Sequence, residues 1–368
     1  MSPLSQIALT FTPGLGNTSI RRLVDLYPNE DIFALPQSEL KEAFGTHRDV
    51  LDNILNKSGL ARAEEELRFC EQNHIRPLFF TDPDYPERLN RAETDDCPAL
   101  LYVLGTANLN PERAVAVVGT RRATPYGRDN TDRLVRELNP YNTPIISGLA
   151  YGIDTAAHTA ALSHGLTTVA VLGHGLDRIY PAQNRPLAKR ILEAGGALVT
   201  EYPNGTAINP RYFPARNRII AAMADATVVV EASEKGGALI TAAIAASYHR
   251  DVFALPGRLT DTYSRGTNNL IATNRALLVR EADDIAFQLG WPLLGKQMKI
   301  NELKEQPKLS ADEQKIVDAM MDYDHLTLDE IATSTGFSLP KTASLLFNLE
   351  MSQIIRTLPG HLYQLINN

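Results

Sequence analysis

A repeated alternation of short apolar runs with helix-like segments fills the middle of this chain and limits its fold more than any other feature. The apolar runs are Ala114–Val118, Pro144–Ser147, Thr168–Leu172, Ala197–Thr200, Ala226–Glu231, Val252–Leu255 and Ala276–Val279. The helix-like segments between them are Asp129–Leu138, Asp154–His164, Asn184–Ala194, Ala215–Ala224 and Ala238–Tyr248. Strands that are apolar along their whole length are typical of a parallel sheet covered by helices on both faces. The sequence therefore predicts an α/β fold built on a Rossmann-like, doubly wound, mostly parallel sheet.

The ends of these predicted strands indicate where a ligand would bind. In doubly wound sheets, ligands occupy the crevice beyond the carboxyl ends of the strands. The residues at or just after those ends are glycine or polar: Gly119, Ser147, Gly148, Gly173, Glu201 and Glu231. We therefore expect the functional site at this edge of the sheet.

The flanking segments predict additional domains. We expect a helical domain of helix-hairpin-helix or SAM-like type at 1–77, the extended Rossmann-like domain at 78–290, a linker at 291–308 and a winged helix at 309–368. The turn Gly14-Leu15-Gly16 fits either a helix-hairpin-helix that binds DNA phosphates or a plain turn in a small bundle, and its acidic surroundings favour the plain turn. The third helix of the winged unit offers Lys341 against Glu350, which favours an accessory role over duplex recognition.

The charge distribution separates the central segment from the rest of the chain. The formal net charge is −7 overall. Residues 111–290 nevertheless contain 19 basic and 16 acidic side chains, a balance of +3, and all the basic residues except Lys189 and Lys235 are arginine. Arginine presents a planar fork that matches phosphate and a flat face that stacks on bases. This bias modestly favours a nucleic-acid ligand over a simple codon preference.

The cysteine content and the N-terminus predict a cytoplasmic protein. There are two cysteines, Cys70 and Cys97, and no CxxC motif, which argues against a disulfide framework or a thiolate zinc site. No secretory signal is evident in the first residues, and no apolar run approaches the ~20 residues of a membrane-spanning helix. We expect no membrane association.

The nucleotide-cofactor motifs are incomplete, and we predict neither a cofactor nor a metal. After the first central strand, Gly119 begins the run Gly119-Thr120-Arg121-Arg122-Ala123-Thr124, which lacks the second and third glycines of the dinucleotide motif GxGxxG. Neither a P-loop nor an HExxH motif occurs. The histidines His158, His164 and His174 lack metal-ligand spacing and are expected on helix surfaces or in loops. No nucleophile–base pair is evident, so we predict no catalytic residue; Glu201 and Glu231 are the only acid/base candidates.

The features that remain are suited to gripping phosphate. Glycines at strand ends expose backbone N–H groups, arginines provide charged forks, and a cationic helix N-terminus opposes the helix dipole unless an anion binds there. The residues with these properties are Gly119, Arg121, Ser147, Gly148, Phe213, Arg216, Asn217, Arg218, Lys235 and Gly236. Tyr126, Tyr180 and Phe213 offer rings on which bases can stack. The competing interpretation is that the arginines form salt bridges to Glu201 or Glu231.

Several of these motifs resemble DNA-processing protein A, the DprA or Smf family. The matching runs are Ala116–Arg121, Ser147–Asp154 with Ala157-His158, Val171–Asp177 with Tyr180-Pro181 and Asn184, Phe213–Arg218, Gly236–Ala242 and Val252–Gly257. They occur in the family's order between about Leu78 and Val279. The helical N-terminal segment and the winged helix also fit the longer members of the family.

The resemblance implies a Rossmann-like domain that binds single-stranded DNA, forms a homodimer and loads RecA onto incoming DNA during natural transformation, without enzymatic activity. The family's glycine-Ser/Thr-arginine motif falls on Gly119, Thr120 and Arg121. One departure concerns the residues after Tyr180-Pro181, where members often carry a basic residue and this chain has Ala182 and Gln183. Arg185 is the candidate replacement.

Two other functions remain as alternatives. Related Rossmann-like folds hydrolyse nucleotides, and Glu201 or Glu231 would then serve as the acid/base. A transcription regulator that binds duplex DNA through its winged helix is the second alternative.

Overall fold

We describe a computed structural model of this chain. The described residues are 1–292 without 29, 45–47 and 93–96, and 309–365 without 322, 324, 353 and 359–361. They form two compact units, Met1–Leu293 and Leu294–Asn368. The predicted linker at 291–308 lies outside the described residues except for Trp291 and Pro292.

Nine strands of the first unit form one sheet. They are β1 (Ile75–Phe79), β2 (Leu100–Gly105), β3 (Val115–Val118), β4 (Ile145–Ser147), β5 (Thr168–Val171), β6 (Ala197–Thr200), β7 (Ala226–Val229), β8 (Asp251–Ala254) and β9 (Leu277–Leu278). Their order across the sheet is β1-β2-β6-β5-β4-β3-β7-β8-β9. Strands β3 to β9 pair in parallel, whereas β1 and β2 are antiparallel additions at one side. The predicted Rossmann-like, mostly parallel sheet is confirmed.

Helices connect and cover these strands. In chain order they are α1 (Pro3–Phe11), α2 (Asn17–Leu26), α3 (Gln37–Phe44), α4 (Arg48–Leu55), α5 (Leu60–Gln72), α6 (Glu87–Asn90), α7 (Pro125–Leu138), α8 (Ile153–Ser163), α9 (Arg185–Glu193), α10 (Tyr212–Ala222), α11 (Gly237–Ser247), α12 (Arg265–Ala272) and α13 (Ala282–Gln288). The start of α7 shows why such boundaries form. Thr124 caps the helix by accepting a hydrogen bond from the Gly127 N–H, and Pro125 occupies the first turn, where its missing N–H is not needed.

The N-terminal helices share a hydrophobic core with the sheet. Ile7 of α1, Phe79 of β1 and Leu101 of β2 are fully buried in the same cluster. The domain boundary expected at residue 77 therefore falls inside β1, and the helical segment packs as part of the sheet unit. Arg21 of α2 belongs to this packing, since its guanidinium lies 4.4 Å from the Phe80 ring centre and donates to the Pro98 carbonyl. This contact agrees with the plain-turn interpretation of residues 14–16.

The second unit has the predicted winged-helix arrangement. Its helices are α14 (Ala311–Met320), α15 (Leu328–Thr335) and α16 (Leu339–Met351), and its strands are β10 (Leu326–Thr327), β11 (Ile355–Leu358) and β12 (Leu362–Leu365). The strands pair antiparallel in the order β10-β12-β11. Lys341, the basic residue of the third helix, pairs with Asp312 at 2.7 Å and lies 4.2 Å from the Phe337 ring centre.

Over the part of the chain that the structure describes, none of the helices has the length and apolar character that crossing a membrane requires.

We expect that Ile7→Ala lowers the free energy of unfolding of the whole sheet unit by about 2–5 kcal/mol, because it opens a cavity in the shared core. The single tryptophan, Trp291, packs 6.0 Å from Tyr141 and reports on the far part of the sheet unit. Urea unfolding followed by Trp291 fluorescence measures the effect. Leu26→Ala, at a side chain that is 52% exposed, serves as the control and is expected to have little effect. An unshifted Trp291 transition in Ile7→Ala would show that the helical segment unfolds on its own.

Candidate functional site

A cleft of about 230 Å³ opens at the carboxyl ends of the parallel strands. The strand order reverses between β3 and β7, and this switch point is where doubly wound sheets bind ligands. The lining residues come from the loop after β3, the starts of α8 and α10, and the start of α11: Val118, Gly119, Thr120, Arg121, Ala150, Asp154, Phe213, Pro214, Arg216, Asn217, Ile220, Gly236, Gly237, Ala238, Ile240 and Thr241. The predicted location at the strand ends therefore coincides with a cleft.

Backbone hydrogen bonds fix the loop after β3, so the Arg121 side chain is not needed to hold the loop and can contact a ligand. A side chain at Gly119 would collide with Ile153 at 2.5 Å. The Thr120 N–H donates to the Glu231 carbonyl at 2.7 Å, and the Thr120 carbonyl accepts from the Ile153 N–H at 3.2 Å. Arg121 is exposed, with its guanidinium carbon 5.6 Å from the Phe213 ring centre. Among the described residues it has no carboxylate partner.

The N-terminus of α11 faces the cleft. The Gly236 and Leu239 N–H groups donate to the Ser233 and Gly236 carbonyls, whereas the Gly237 and Ala238 N–H groups have no partner among the described residues. Gly236 stands at the N-cap position and supplies no side-chain cap. The space where a side chain at Gly237 would project is open, with no heavy atom within 4 Å. The first N–H groups of a helix lack intrahelical partners and carry a partial positive charge, so they suit an anion.

Arg216 does not reach into the open part of the cleft as predicted. Its side chain is 4% exposed, and its Nη1 donates to the Gly148 carbonyl at 2.6 Å and to the Val171 carbonyl. Burial lowers its pKa to about 10, which leaves it charged at neutral pH. Its Nε has no partner among the described residues. The expectation of an exposed phosphate fork is wrong for Arg216, which forms the floor of the cleft.

Asp154 and His158 lie beside Arg216 in the interior. Both are on α8, and their side chains are 7% and 0% exposed. Burial raises the pKa of Asp154, and the neighbouring Arg216 guanidinium opposes that rise. Burial lowers the pKa of His158 to about 3, so the imidazole is neutral, and its Nδ1 lies 2.7 Å from the Thr168 hydroxyl. The expectation that His158 lies on a helix surface or in a loop is wrong, whereas His174 lies in the loop after β5, where it is 1% exposed.

Arg218 is committed to a carboxylate. Its Nη1 and Nη2 donate to the two oxygens of Glu201 at 2.5 and 2.6 Å. The two side chains are 15% and 13% exposed. Burial works against the charge on Arg218, but its hydrogen bonds to Glu201 raise the guanidinium pKa above the usual arginine value. The salt-bridge alternative therefore describes Arg218, and the prediction that its guanidinium is available to phosphate is wrong.

Ser147 and Glu231 are also used internally. The Ser147 side chain is fully buried, and its hydroxyl donates to the Val117 carbonyl at 2.7 Å, so the expectation that it offers a hydrogen bond to a ligand is wrong. Glu231 is 2% exposed and accepts from the Thr124 N–H at 3.0 Å at the start of α7. Neither glutamate proposed as an acid/base lines the cleft.

The loop after β4 has a constrained backbone. A side chain at Gly148 would collide with the Arg216 guanidinium. Leu149 has a φ of 58°, in the left-handed region that leucine rarely adopts. Its side chain is fully buried against Ala170, Leu172 and Leu187.

The other predicted residues surround the cleft at different depths. Phe213 lines it and packs 5.5 Å from the exposed ring of Tyr180, while Asn217 lines it half-buried. Lys235 is exposed in the adjoining groove along α11, next to Gly236, which both openings share. Arg185 is exposed at the start of α9 and does not line the cleft, and Tyr126 borders a separate opening.

Within the described ranges, no group of histidine, cysteine and acidic side chains could hold a metal ion. The cleft itself offers arginines, bare amides and one buried carboxylate, a set that suits an anion.

Comparison with known proteins identifies the family. The profile described as DNA recombination-mediator protein A matches residues 76–290, and the DprA winged helix domain matches residues 303–361. The chain belongs to the DNA recombination-mediator protein A family. Protein Smf from Synechocystis sp. is 31% identical over 390 aligned positions, covering 97% of each chain.

Solved structures of the DprA family share the architecture. DNA processing protein A from Streptococcus pneumoniae has a TM-score of 0.68 at 32% identity, covering 77% of this chain and 97% of that one. The protein of the same name from Helicobacter pylori has a TM-score of 0.52 at 31% identity, covering 58% and 95%, and was described for its single-stranded DNA binding mode.

We expect the Arg218–Glu201 pair to be energetically coupled. Arg218→Met and Glu201→Gln should each destabilise the fold, and the double variant should lose less than their sum, with a coupling of about 1–2 kcal/mol. Urea unfolding of the four proteins measures the cycle. The matched control is the surface pair Lys189–Glu193, whose side chains are 77% and 60% exposed and whose coupling should be negligible. Additive effects at Arg218 and Glu201 would contradict the engaged pair.

Proposed function

We propose that this protein binds the sugar–phosphate backbone of single-stranded DNA in the cleft at the β3–β7 switch point. It acts as a non-enzymatic recombination mediator that protects incoming DNA and loads RecA onto it during natural transformation. The observation that carries the proposal is an exposed Arg121, without a salt bridge among the described residues, that lines the same cleft as the N-terminus of α11 and the buried Arg216.

The size of the cleft supports a backbone ligand. At about 230 Å³ it is smaller than the ~300–1,000 Å³ of pockets that enclose a whole small-molecule ligand. A phosphate group enters such a space while the sugar and base stay outside. Phe213 and Tyr180 then provide ring surfaces at the rim, and stacking on an aromatic side chain contributes ~1–3 kcal/mol per base.

The state of the acidic residues supports a binding role without catalysis. Glu201 is held by Arg218 and Glu231 by the start of α7, so neither is placed to act as a general base in the cleft. The remaining carboxylate, Asp154, is buried beside Arg216. General acid–base catalysis needs the acting side chain within hydrogen-bond reach of the reacting atoms, and neither Glu201 nor Glu231 lines the cleft. The winged-helix alternative is disfavoured because the third helix of that unit contains one basic residue, Lys341, against the acidic Glu350.

RecA loading and transformation belong to this proposal because of the family. The name recombination mediator describes assistance to a recombinase, and the H. pylori relative was described for its binding of single-stranded DNA. Because a recombination mediator assists a recombinase that acts on DNA in the cell, we also propose a cytoplasmic location.

A homodimer is the second part of the proposal. Strand β9 is the last strand of the sheet, and Leu277 and Leu278 are 44% and 43% exposed. An apolar edge strand with unpaired backbone groups is a template for pairing with another chain. We assign this edge to contact with a second copy of the chain.

Arg121→Ala is expected to weaken binding to oligo-dT at least tenfold and to reduce the slope of log affinity against log salt by about 0.7, the contribution of one phosphate contact. Fluorescence anisotropy titrations at several salt concentrations measure both quantities. Arg122→Ala is the matched control, because Arg122 is exposed and adjacent but does not line the cleft. An equal loss in both variants, or duplex and mononucleotide binding as tight as that of oligo-dT, would refute the proposed site.

Leu278→Glu should convert the dimer to a monomer, because a charge on the edge strand opposes its pairing. Light scattering coupled to size-exclusion chromatography gives the mass. A monomeric wild-type protein at micromolar concentration, or a dimer that persists in the variant, would contradict the assignment. Phe287→Glu, at a side chain that is 75% exposed on α13, provides a control for added surface charge.

A further inference from the structure

The cleft combines two cations with one buried anion. Among the described residues, its charged lining consists of Arg121, Arg216 and Asp154, which gives a formal charge of +1. Arg121 is exposed, whereas Arg216 and Asp154 are 4% and 7% exposed. A carboxylate in a cleft for anions reduces the attraction that the arginines provide. Asp154 therefore affects which charge state of phosphate the cleft binds.

The two kinds of phosphate in nucleic acids differ in charge. An internal phosphodiester carries one negative charge, whereas a phosphate monoester carries about −1.5 to −2 at neutral pH. The attraction of the cleft for an anion grows in proportion to the charge of that anion. The desolvation penalty of the anion grows with the square of its charge, and burial makes this penalty large. A weakly positive, partly buried cleft therefore favours a monoanion.

We propose that Asp154 is a specificity-determining residue that sets the cleft to accept internal backbone phosphodiesters and to disfavour the dianionic monoesters of free nucleotides and 5′-phosphorylated ends. This inference rests on the proposed function of the cleft and adds the class of phosphate that it takes. Free nucleotides consequently compete poorly with a DNA strand.

The geometry supports a direct effect of Asp154. It lies in the first turn of α8, and its Oδ2 accepts a hydrogen bond from the Ala150 N–H at 3.3 Å. Ala150 and Asp154 both line the cleft, so the charge of the buried carboxylate lies next to the space that a phosphate would approach. Asp154 also cancels part of the positive dipole of α8. Removing its charge raises the potential for every anion, and the gain for a dianion is twice that for a monoanion.

The test compares two ligands that differ only in ester state: thymidine 5′-monophosphate and thymidine 5′-methylphosphate. Each is used to displace labelled dT10 from the full-length protein at pH 7.5. We expect the wild-type protein to bind the methyl ester at least as tightly as the monophosphate. In Asp154→Asn, the affinity ratio should shift toward the monophosphate by at least fivefold. Asp132→Asn, on α7 outside the cleft, is the control and should leave the ratio unchanged.

The ratio separates specificity from structural support. If Asp154 served only as the counter-ion that keeps Arg216 in place, Asp154→Asn would weaken both ligands together and leave their ratio unchanged, which would overturn the inference. If the Asp154→Asn variant does not fold, the two affinities of the wild-type protein still test the inference. Binding of the monophosphate tenfold tighter than that of the methyl ester would refute it. Failure of both ligands to displace dT10 would refute it as well.

The failure of the proposed function has a different signature. If dT10 itself does not bind, the function is wrong. Calorimetric titration of the two thymidine ligands then measures the selectivity of the cleft directly. A reversed preference with intact dT10 binding would leave the proposed function standing and remove the role of Asp154.

Discussion

The cleft depends on the hydrogen bonds that the buried Arg216 guanidinium donates to two backbone carbonyls at the strand ends. Beyond the carboxyl ends of parallel strands, backbone carbonyls no longer accept hydrogen bonds from a neighbouring strand. When these carbonyls are buried, they need other donors. Arg216 supplies them for Gly148, just after β4, and for Val171 at the end of β5. Asp154 supplies the opposite charge nearby. One arginine of the cleft thus holds the strand ends in place, while Arg121 on the neighbouring loop stays available to a ligand.

Most of the sheet could be predicted from the sequence because its strands are buried on both faces. The predicted run Ala114–Val118, for example, corresponds to β3 at Val115–Val118. The predicted helix Asp129–Leu138 begins four residues after the observed start of α7, although Thr124 and Pro125 carry the capping and first-turn signals for a helix. The boundary predicted at residue 77 falls inside β1 (Ile75–Phe79), which contains Pro77. Proline is compatible with a strand at the edge of a sheet, and β1 is the last strand on its side.

The position of the cleft could be predicted, but the roles of its arginines could not be inferred from their clustering alone. Residues two apart on a helix point in nearly opposite directions, so Arg216 and Arg218 of α10 cannot reach the same ligand. This geometric signal was present in the sequence. Which of the two would turn inward depended on the positions of Glu201 and Gly148, and only the fold determines those. The spacing of Asp154 and His158, four residues apart, similarly indicated a shared helix face without showing that the face is buried.

The left-handed backbone of Leu149 has a consequence for how the loop meets its ligand. Such a conformation costs about 1–3 kcal/mol and persists only where the surroundings enforce it, here through a leucine side chain locked among Ala170, Leu172 and Leu187. The packing of the leucine side chain therefore holds the loop backbone in one conformation. Association then loses little chain entropy at this point, so a small number of contacts is sufficient for a useful affinity. The strain that slightly destabilises the folded state thus accompanies a loop that is ordered beside the cleft.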